Sequence, residues 1–544
     1  MRAIPALITR SEFSHWLLIV LVAAWILPGL IGHDPWKPDE AYSFGLVYHI
    51  LQTGDWVVPT LAGEPFMEKP PLFYVTAALT AKLFSAWLPL HDGARLASGF
   101  YLALTLFFIA LAANEIHGRG RETVLTLLAS LGLAPLAHLL LTDTALLAGL
   151  ALGLYGFALG LRSPLVGGIC LGTGAGVAFL SKGLIGPGLL GLTALLLPLL
   201  HYGWRTRAYL YCLVAAAAAA LPWLLVWPLA LYLRAPELFS VWFWDNNFGR
   251  FLGSSRLGPQ QEAFFYLRTL TWFAWPAWLL ALWALWSGGN ERLRQPGTLL
   301  PLALLIVTLL ALMGAADARQ VYALPLLLPL ALLAAPAAEL FPRWASILLH
   351  TLGVVVALAV LVLVWGVWSA LKFGFPAILV AYLGNPPPMT APEAGAFAAV
   401  IALGYSVGCL AALYFARRLR ERVLVTWSLG MTLFLGLSMT LLLSAVDAQK
   451  SYRGAFTALR AAIPATYRCV ASEGLGEPQR AMLEYFAGLR TLRRAVHPKT
   501  DCDLLLRQEY ADEPVSLDAR AWRLLWEGSR PGDTKERFRL FQRL

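Results

Sequence analysis

The sequence predicts an all-α polytopic membrane bundle of about thirteen spanning helices, with a small α/β domain at its carboxyl-terminal end. Three observations lead there. Only 14% of the 544 residues are charged and 58% are hydrophobic, where soluble domains carry roughly 25% and 45–50%. Apolar runs long enough to cross about 30 Å of hydrocarbon recur along most of the chain. From Ala448 onward the composition changes abruptly, with 17 Lys and Arg and 12 Asp and Glu in 97 residues.

The spanning helices are expected at 15–32, 95–114, 121–141, 144–161, 164–181, 184–201, 208–232, 266–286, 298–314, 321–337, 344–370, 395–416 and 423–445. The first follows Arg2 and Arg10 and lacks a small-x-small cleavage site, so it reads as an uncleaved span. With the amino terminus inside, the inner loops hold Arg119 and Arg121, Arg162, Arg205 and Arg207, Arg292 and Arg294, Arg343, and the run Arg417-Arg418-Leu419-Arg420-Glu421-Arg422. The excess of Lys and Arg in cytoplasmic loops dictates that orientation. The stretch 72–90 is also apolar, but Lys82 interrupts it and prolines bracket it. Counting it as a span would turn the later arginine clusters outward, so it is expected to lie in the outer interface. The expected organisation is a transmembrane domain over 1–447 with an outer loop at 33–94, and a periplasmic α/β domain over 448–544. The expected location is a membrane, with the tail on its outer side.

In the tail, amphipathic helical patterns at 452–462 and 477–486 alternate with strand-like runs at 468–472 and 502–507. Cys469 and Cys502 open those two runs. An outer location permits a disulfide between them, with two buried thiols as the alternative. Cys170, Cys212 and Cys409 lie in apolar segments without metal-ligand spacing and read as small core residues. The net charge of +10 comes from Lys and Arg clustered in short loops, the pattern of membrane orientation, so no nucleic-acid partner is expected.

Asp, Glu, Lys and Arg are absent from the middles of the expected spans. Charges in hydrocarbon cost several kcal/mol and mark transport paths where they occur, which disfavours an ion-coupled transporter. The ionisable residues gather at outer span ends instead. Pro38-Asp39-Glu40 follows the first span, where adjacent carboxylates can hold a metal or deprotonate an acceptor. Glu68-Lys69 is stiffened by Pro65, Pro70 and Pro71. Asp143, after Thr142, suits either a second carboxylate or the cap of the fourth span. Lys182 and Arg319 suit either phosphate contacts or snorkelling to the interface. Asp55 reads as the cap of a turn, and His138 and His350 as histidines satisfied by packing partners.

Asp39-Glu40, Gly54-Asp55-Trp56-Val57-Val58-Pro59 and Glu68-Lys69-Pro70-Pro71-Leu72, in that order, resemble the first outer loop of the bacterial aminoarabinose transferases (ArnT). These are GT-C type membrane glycosyltransferases related to the protein O-mannosyltransferases. Leu141-Thr142-Asp143, Ser181-Lys182-Gly183, Asn247-Phe248-Gly249-Arg250-Phe251 and Arg319-Gln320-Val321-Tyr322-Ala323-Leu324-Pro325 extend the likeness over almost the whole chain. The resemblance implies inverting transfer of a sugar from an undecaprenyl-phosphate-linked donor to lipid A or a related envelope glycolipid, among membrane lipids. Transfer to protein or another glycan is the alternative within this chemistry. A lipid or sugar transporter is the alternative outside it.

The resemblance also implies roles. Lys69, Arg250, Lys182 and Arg319 would bind the donor phosphate, where cations stabilise the charge of the leaving group. Arg clamps a phosphate through two hydrogen bonds and Lys acts as a point charge. Asp39 matches the position of the base or orienting carboxylate, with Glu40 adjacent and Asp143 as a second catalytic carboxylate. Tyr42, Asn246, Asn247 and Tyr322 are the implied substrate contacts. Glu68 is the implied ligand of a divalent metal, the one cofactor in prospect. The family's Glu-His pair in the later outer loop is here Asn246-Asn247, and Asn is a poor substitute for imidazole at a zinc-type site.

Overall fold

The computed structural model describes residues 14–254, 259, 261–383, 392–510, 517, 520–531, 533 and 535–544. Arg2 and Arg10 lie outside the described residues, as do the side chains of 392–394. The chain divides into two compact units. One is made of the segments up to Leu30, Ser98–His138 and Thr142–Leu442; the other of Ile31–Ala97, Leu139–Leu141 and Leu443–Leu544. The segment expected as the first outer loop thus belongs to the same unit as the tail.

Among the described residues, eight of the thirteen expected spans are single helices long and apolar enough to cross a membrane. They are Leu90–His117, Thr142–Gly160, Pro164–Lys182, Arg207–Arg234, Pro296–Gly314, Arg343–Phe373, Gly395–Ala416 and Arg422–Leu441. The other five are corrected to shorter or broken helices. His15–Ile26 stops before Leu27-Pro28-Gly29. The 121–141 segment is helical only over Gly120–Ala129, because Gly132 and Pro135 follow and the Gly132 N–H donates to the Phe273 carbonyl instead. Ile185–Leu200 has 16 residues. The 266–286 segment is split at Trp275-Pro276 into Phe265–Phe273 and Ala277–Leu293. Pro325 removes a backbone donor from 321–337, which runs as a 3-10 turn over Gln320–Leu326 and a helix over Leu327–Ala334. The stretch 72–90 contains the helix Leu72–Leu83.

Large apolar side chains stay exposed on these helices, among them Leu195 (70%), Leu233 (74%) and Val362 (72%). Such faces belong against lipid, and the chain is a multi-pass membrane protein. Without a hydrophobic drive between helices in lipid, close approach depends on small residues. Thr142–Gly160 and Pro164–Lys182 pack as an antiparallel hairpin on glycines: a Cβ on Gly156 would fall 2.4 Å from Leu171 N, and one on Gly149 2.7 Å from Ala178 N. The hairpin brings the start of one helix to the end of the other, which places Asp143 beside Lys182.

The second unit is built on a five-stranded mixed sheet. With β1 (Thr60–Leu61) and β2 (Glu64–Pro65) forming a small hairpin in the outer loop, the tail supplies β3 (Val470–Glu473), β4 (Leu492–Arg493), β5 (Leu504–Tyr510), β6 (Trp522–Gly528) and β7 (Glu536–Arg543). Their order is β4-β3-β5-β7-β6, parallel at β4-β3-β5 and antiparallel at β5-β7-β6. Leu504, Leu505, Leu506, Phe538, Leu540 and Phe541 are buried there. Cys469 and Cys502 form a disulfide with Cα atoms 4.9 Å apart, packed near Ala471, Leu505 and Phe541. The helices Arg453–Ala462 and Glu477–Ala487 complete the tail. The outer-loop helix Asp39–Thr53 lies against Glu477–Ala487 so closely that a Cβ on Gly45 would meet the Ala481 Cβ at 2.6 Å.

Candidate functional site

In the second unit the polar residues are organised by the helix Asp39–Thr53. Its first turn carries both carboxylates, where the positive end of the helix favours them. Glu40 turns inward. Its Oε1 accepts from Arg95 Nε and from Leu140 N, each at 2.9 Å, and its Oε2 from Trp36 N at 3.2 Å. Burial pushes the Glu40 carboxyl up, but the Arg95 and His33 charges and these hydrogen bonds outweigh it and hold it below its ordinary value. Asp92 accepts from Arg95 Nη1 at 2.8 Å. Asp34 pairs with Arg453 and accepts from Ser451 Oγ at 2.6 Å. This buried network fixes the start of the helix.

Asp39 sits half-buried in the same turn, and Tyr42 follows on the same side one turn later. Lys69 Nζ donates to the Tyr42 hydroxyl at 2.7 Å and lies 3.8 Å from Glu68 Oε1. Phe66 stacks on the Tyr42 ring at 5.7 Å. The structure thus brings Tyr42, Glu68 and Lys69 together. Glu477 joins their electrostatic surroundings. Its carboxyl is held above the ordinary value, first by partial desolvation against the protein and then by the Glu68 charge, although the side chain remains open to solvent. Sequence reasoning missed Glu477; the available signal was an acid beginning the helix at Gly476-Glu477-Pro478.

The helical unit holds the other group. Lys182 pairs with Asp143, which lies in the first turn of Thr142–Gly160, so the ion pair takes the place of a cap. Lys182 Nζ also lies 4.5 Å from the centre of the Tyr322 ring. Arg250 Nη2 donates to the Tyr322 hydroxyl at 3.3 Å, and its Nε is 3.8 Å from the buried Asp317 Oδ2. Lys182 and Arg250 are both mostly enclosed and share Tyr322 between them. Arg319 stands at the cap of the 3-10 turn that carries Tyr322. Asp317 was also missed, although it lies two residues before Arg319.

Asn246 and Asn247 fall in a π-helix over Val241–Gly249, a form that recurs at functional sites. Asn247 is spent on the backbone: its Oδ1 accepts from Leu184 N at 3.0 Å and its Nδ2 donates to Trp242 O at 2.8 Å. Asn246 is more open and donates to Val241 O at 3.3 Å. Glu68 does not fit a metal site. The Lys69 ammonium lies 3.8 Å from it, and among the described residues no group of three His, Cys, Asp or Glu side chains is placed to hold an ion.

Asp55 accepts from Val57 N and Val58 N, as a turn cap should. His350 Nδ1 lies 2.7 Å from Thr426 Oγ1, and the two His138 nitrogens lie 3.0 and 2.9 Å from the Ala134 and Trp25 carbonyls.

No family model matches the chain. Curated relatives do. The undecaprenyl phosphate-α-4-amino-4-deoxy-L-arabinose arabinosyl transferase of Pseudomonas aeruginosa (strain UCBPP-PA14) is 31% identical over 333 residues, 59% of each chain. Its counterpart in Pseudomonas savastanoi pv. phaseolicola is 28% identical over 336 residues, 60% of this chain and 62% of that protein. The chain therefore spans about three-fifths of the length of the curated relatives it matches. Among solved structures, ArnT from Cupriavidus metallidurans in the apo state superposes with a TM-score of 0.70 at 18% identity, covering 96% of this chain and 97% of that one. The same protein bound to undecaprenyl phosphate gives 0.69 at 19% identity, with the same coverage. In sequence over three-fifths of its length, and in fold over nearly all of it, this chain is similar to the aminoarabinose transferases.

Proposed function

We propose that the chain is an inverting membrane glycosyltransferase that moves a sugar from an undecaprenyl-phosphate-linked donor to lipid A or a related envelope glycolipid. In this reading it lies in a bacterial inner membrane with its outer loop and tail in the periplasm. The observation that carries the proposal is the pair of cations, Lys182 and Arg250, held about one aromatic ring, Tyr322. An acceptor oxygen attacks the anomeric carbon, and the bond from that carbon to the phosphate oxygen breaks with its electrons going to the phosphate. The catalytic need is positive charge where that phosphate develops. In the helical unit Lys182 and Arg250 supply it, with Arg319 on the turn that holds Tyr322, and the resemblance gives Lys69 of the other unit the same role.

Asp39 takes the acceptor's proton where the acceptor is a hydroxyl, or orients it where it is a phosphate. Glu40 is a positioning residue in this scheme, since its oxygens are committed to Arg95, Leu140 and Trp36. Asp143 sets Lys182, and Tyr42 sets Lys69. Asn247 shapes the π-helix rather than touching substrate. No step is assigned to a metal.

The test is transfer of radiolabelled sugar from undecaprenyl-phosphate donors by purified protein in lipid, with glycolipid, peptide and glycan acceptors, with and without chelator. Label should enter the glycolipid fraction at an unchanged rate in chelator. Label entering only peptide or glycan would reassign the acceptor, and loss of transfer in chelator would restore the metal.

A further inference from the structure

Asp317 is a buried acid beside a cation that serves a phosphate in the reading above. Its side chain is 8% exposed, and its Oδ2 lies 3.8 Å from Arg250 Nε. That oxygen is closed to water and has no hydrogen-bond partner. The backbone fixes the approach. Ala316 N donates to the Phe251 carbonyl at 3.2 Å, and Ala318 N to the Pro259 carbonyl at 3.1 Å. The residues on either side of Asp317 are therefore tied to the chain at and just after Arg250.

An acid in that place works against an anion. In a weakly screened interior its charge opposes any phosphate brought to Arg250. It does not hold the loop through a hydrogen bond at Oδ2, and a phosphate does not reach that atom, because it is enclosed. Its action falls on Arg250. A guanidinium is planar, and it grips a phosphate through two hydrogen bonds only when its plane is aimed. Asp317 faces Arg250 at Nε, and the Tyr322 hydroxyl accepts from Nη2 at 3.3 Å. Contacts at two different nitrogens set the direction of that plane. All three residues lie in the helical unit.

We propose that Asp317 is a positioning residue: it orients Arg250 toward the phosphate of the undecaprenyl-linked group, and so toward the oxygen that gains charge when the bond to the sugar breaks. Asp317 touches no substrate itself. The departing undecaprenyl phosphate is more negative than the donor's phosphodiester, so an aimed Arg250 gains more as the bond breaks than before it. Interactions of that kind raise kcat rather than lower KM. The claim on turnover rests on the transferase reading; the claim on phosphate binding stands without it.

The experiment is a double-mutant cycle of Asp317→Asn and Arg250→Ala in the full-length protein in lipid, read in two ways. The first is transfer from the undecaprenyl-phosphate-linked donor. Asp317→Asn should lower kcat about ten- to hundredfold, the scale of a misplaced catalytic group, with donor KM within about threefold of wild type. In the Arg250→Ala protein the same change should cost less than about twofold. The second is native mass spectrometry with undecaprenyl phosphate, which carries the charge of the leaving group. Asp317→Asn should weaken its binding about tenfold where Arg250 is present and leave it unchanged where Arg250 is replaced. An acid that merely supports the fold would give equal losses in both backgrounds. Equal losses, or wild-type kcat and binding by Asp317→Asn, overturn the proposal. Where Asp317→Asn folds poorly, Asp317→Ser, also neutral, runs the same cycle. Wild type that transfers no sugar but binds undecaprenyl phosphate with this coupling would sink the transferase reading and support the role of Asp317. Wild type that binds no undecaprenyl phosphate would overturn that role.

Discussion

Arg95 Nε and Glu40 Oε1 form an ion pair at 2.9 Å in which both side chains are 1% exposed. The pair anchors the first turn of Asp39–Thr53 and therefore sets the position of Asp39. Removing one partner leaves a buried charge uncompensated, which costs about 3–5 kcal/mol. Arg95→Met should lower the unfolding midpoint of the purified protein accordingly. Adding Glu40→Leu should recover part of the loss, because Glu40 is then no longer stranded while Asp92 still lacks Arg95. Arg95→Met unfolding at the wild-type midpoint would contradict the role given to this pair.

The same network sets a pH dependence. Burial pushes both Glu40 and Asp34 up, but Arg95 and His33 beside Glu40, and the hydrogen bonds and charge of Arg453 and Ser451 beside Asp34, hold them below their ordinary values of 4.5 and 3.8. A carboxylate depressed by folding contributes stability that is complete above its ordinary value and lost as pH falls through the folded one. The stability advantage of wild type over Asp34→Asn should be level above pH 3.8 and shrink below it. Chemical unfolding followed by tryptophan fluorescence across that range measures it. An advantage that grows on acidification would reverse the sign.

Asn246 and Asn247 are neighbours with different work. Asn247→Ala strands the Leu184 N–H, at about 1–3 kcal/mol for a group left buried and unpaired, and removes the side-chain bond to the Trp242 carbonyl. It should lower stability and expression. Asn246→Ala, with one long bond at an open position, should stay within about 0.5 kcal/mol of wild type. Thermal unfolding of the two variants in one detergent compares them directly, and equal losses would mean the π-helix is not held by Asn247.

Much of this arrangement was legible in the residues because the membrane simplifies the problem. Apolar runs without charge announced the helices, and the alternation in the tail announced β3 and β5 where they occur. The breaks were harder to read. Pro325 and Pro276 sit inside runs as apolar as their neighbours, and Gly132 leaves the helix for a carbonyl contact that only the packed Phe273 supplies. The motifs located Lys69, Lys182, Arg250 and Tyr322, but not the partners that orient them. Asp317 and Glu477 are isolated acids in the sequence, and only the fold puts them beside Arg250 and near Glu68. Nothing beside Glu40 in the sequence marks its contact with Arg95, 55 residues away.

The central claim is that cations and a carboxylate from these loops carry sugar transfer, and its most direct measurement is turnover by Lys69→Ala and Asp39→Ala beside wild type. All three proteins would be purified in lipid, checked for equal unfolding midpoints, and supplied with labelled undecaprenyl-phosphate sugar and a glycolipid acceptor. The account predicts transfer by wild type and a fall of about 10²–10³ in turnover for Lys69→Ala, the scale of losing one group that stabilises developing charge. Asp39→Ala should fall by about 10²–10⁴, the range for a positioned base. Transfer that survives both substitutions at the wild-type rate would contradict the account.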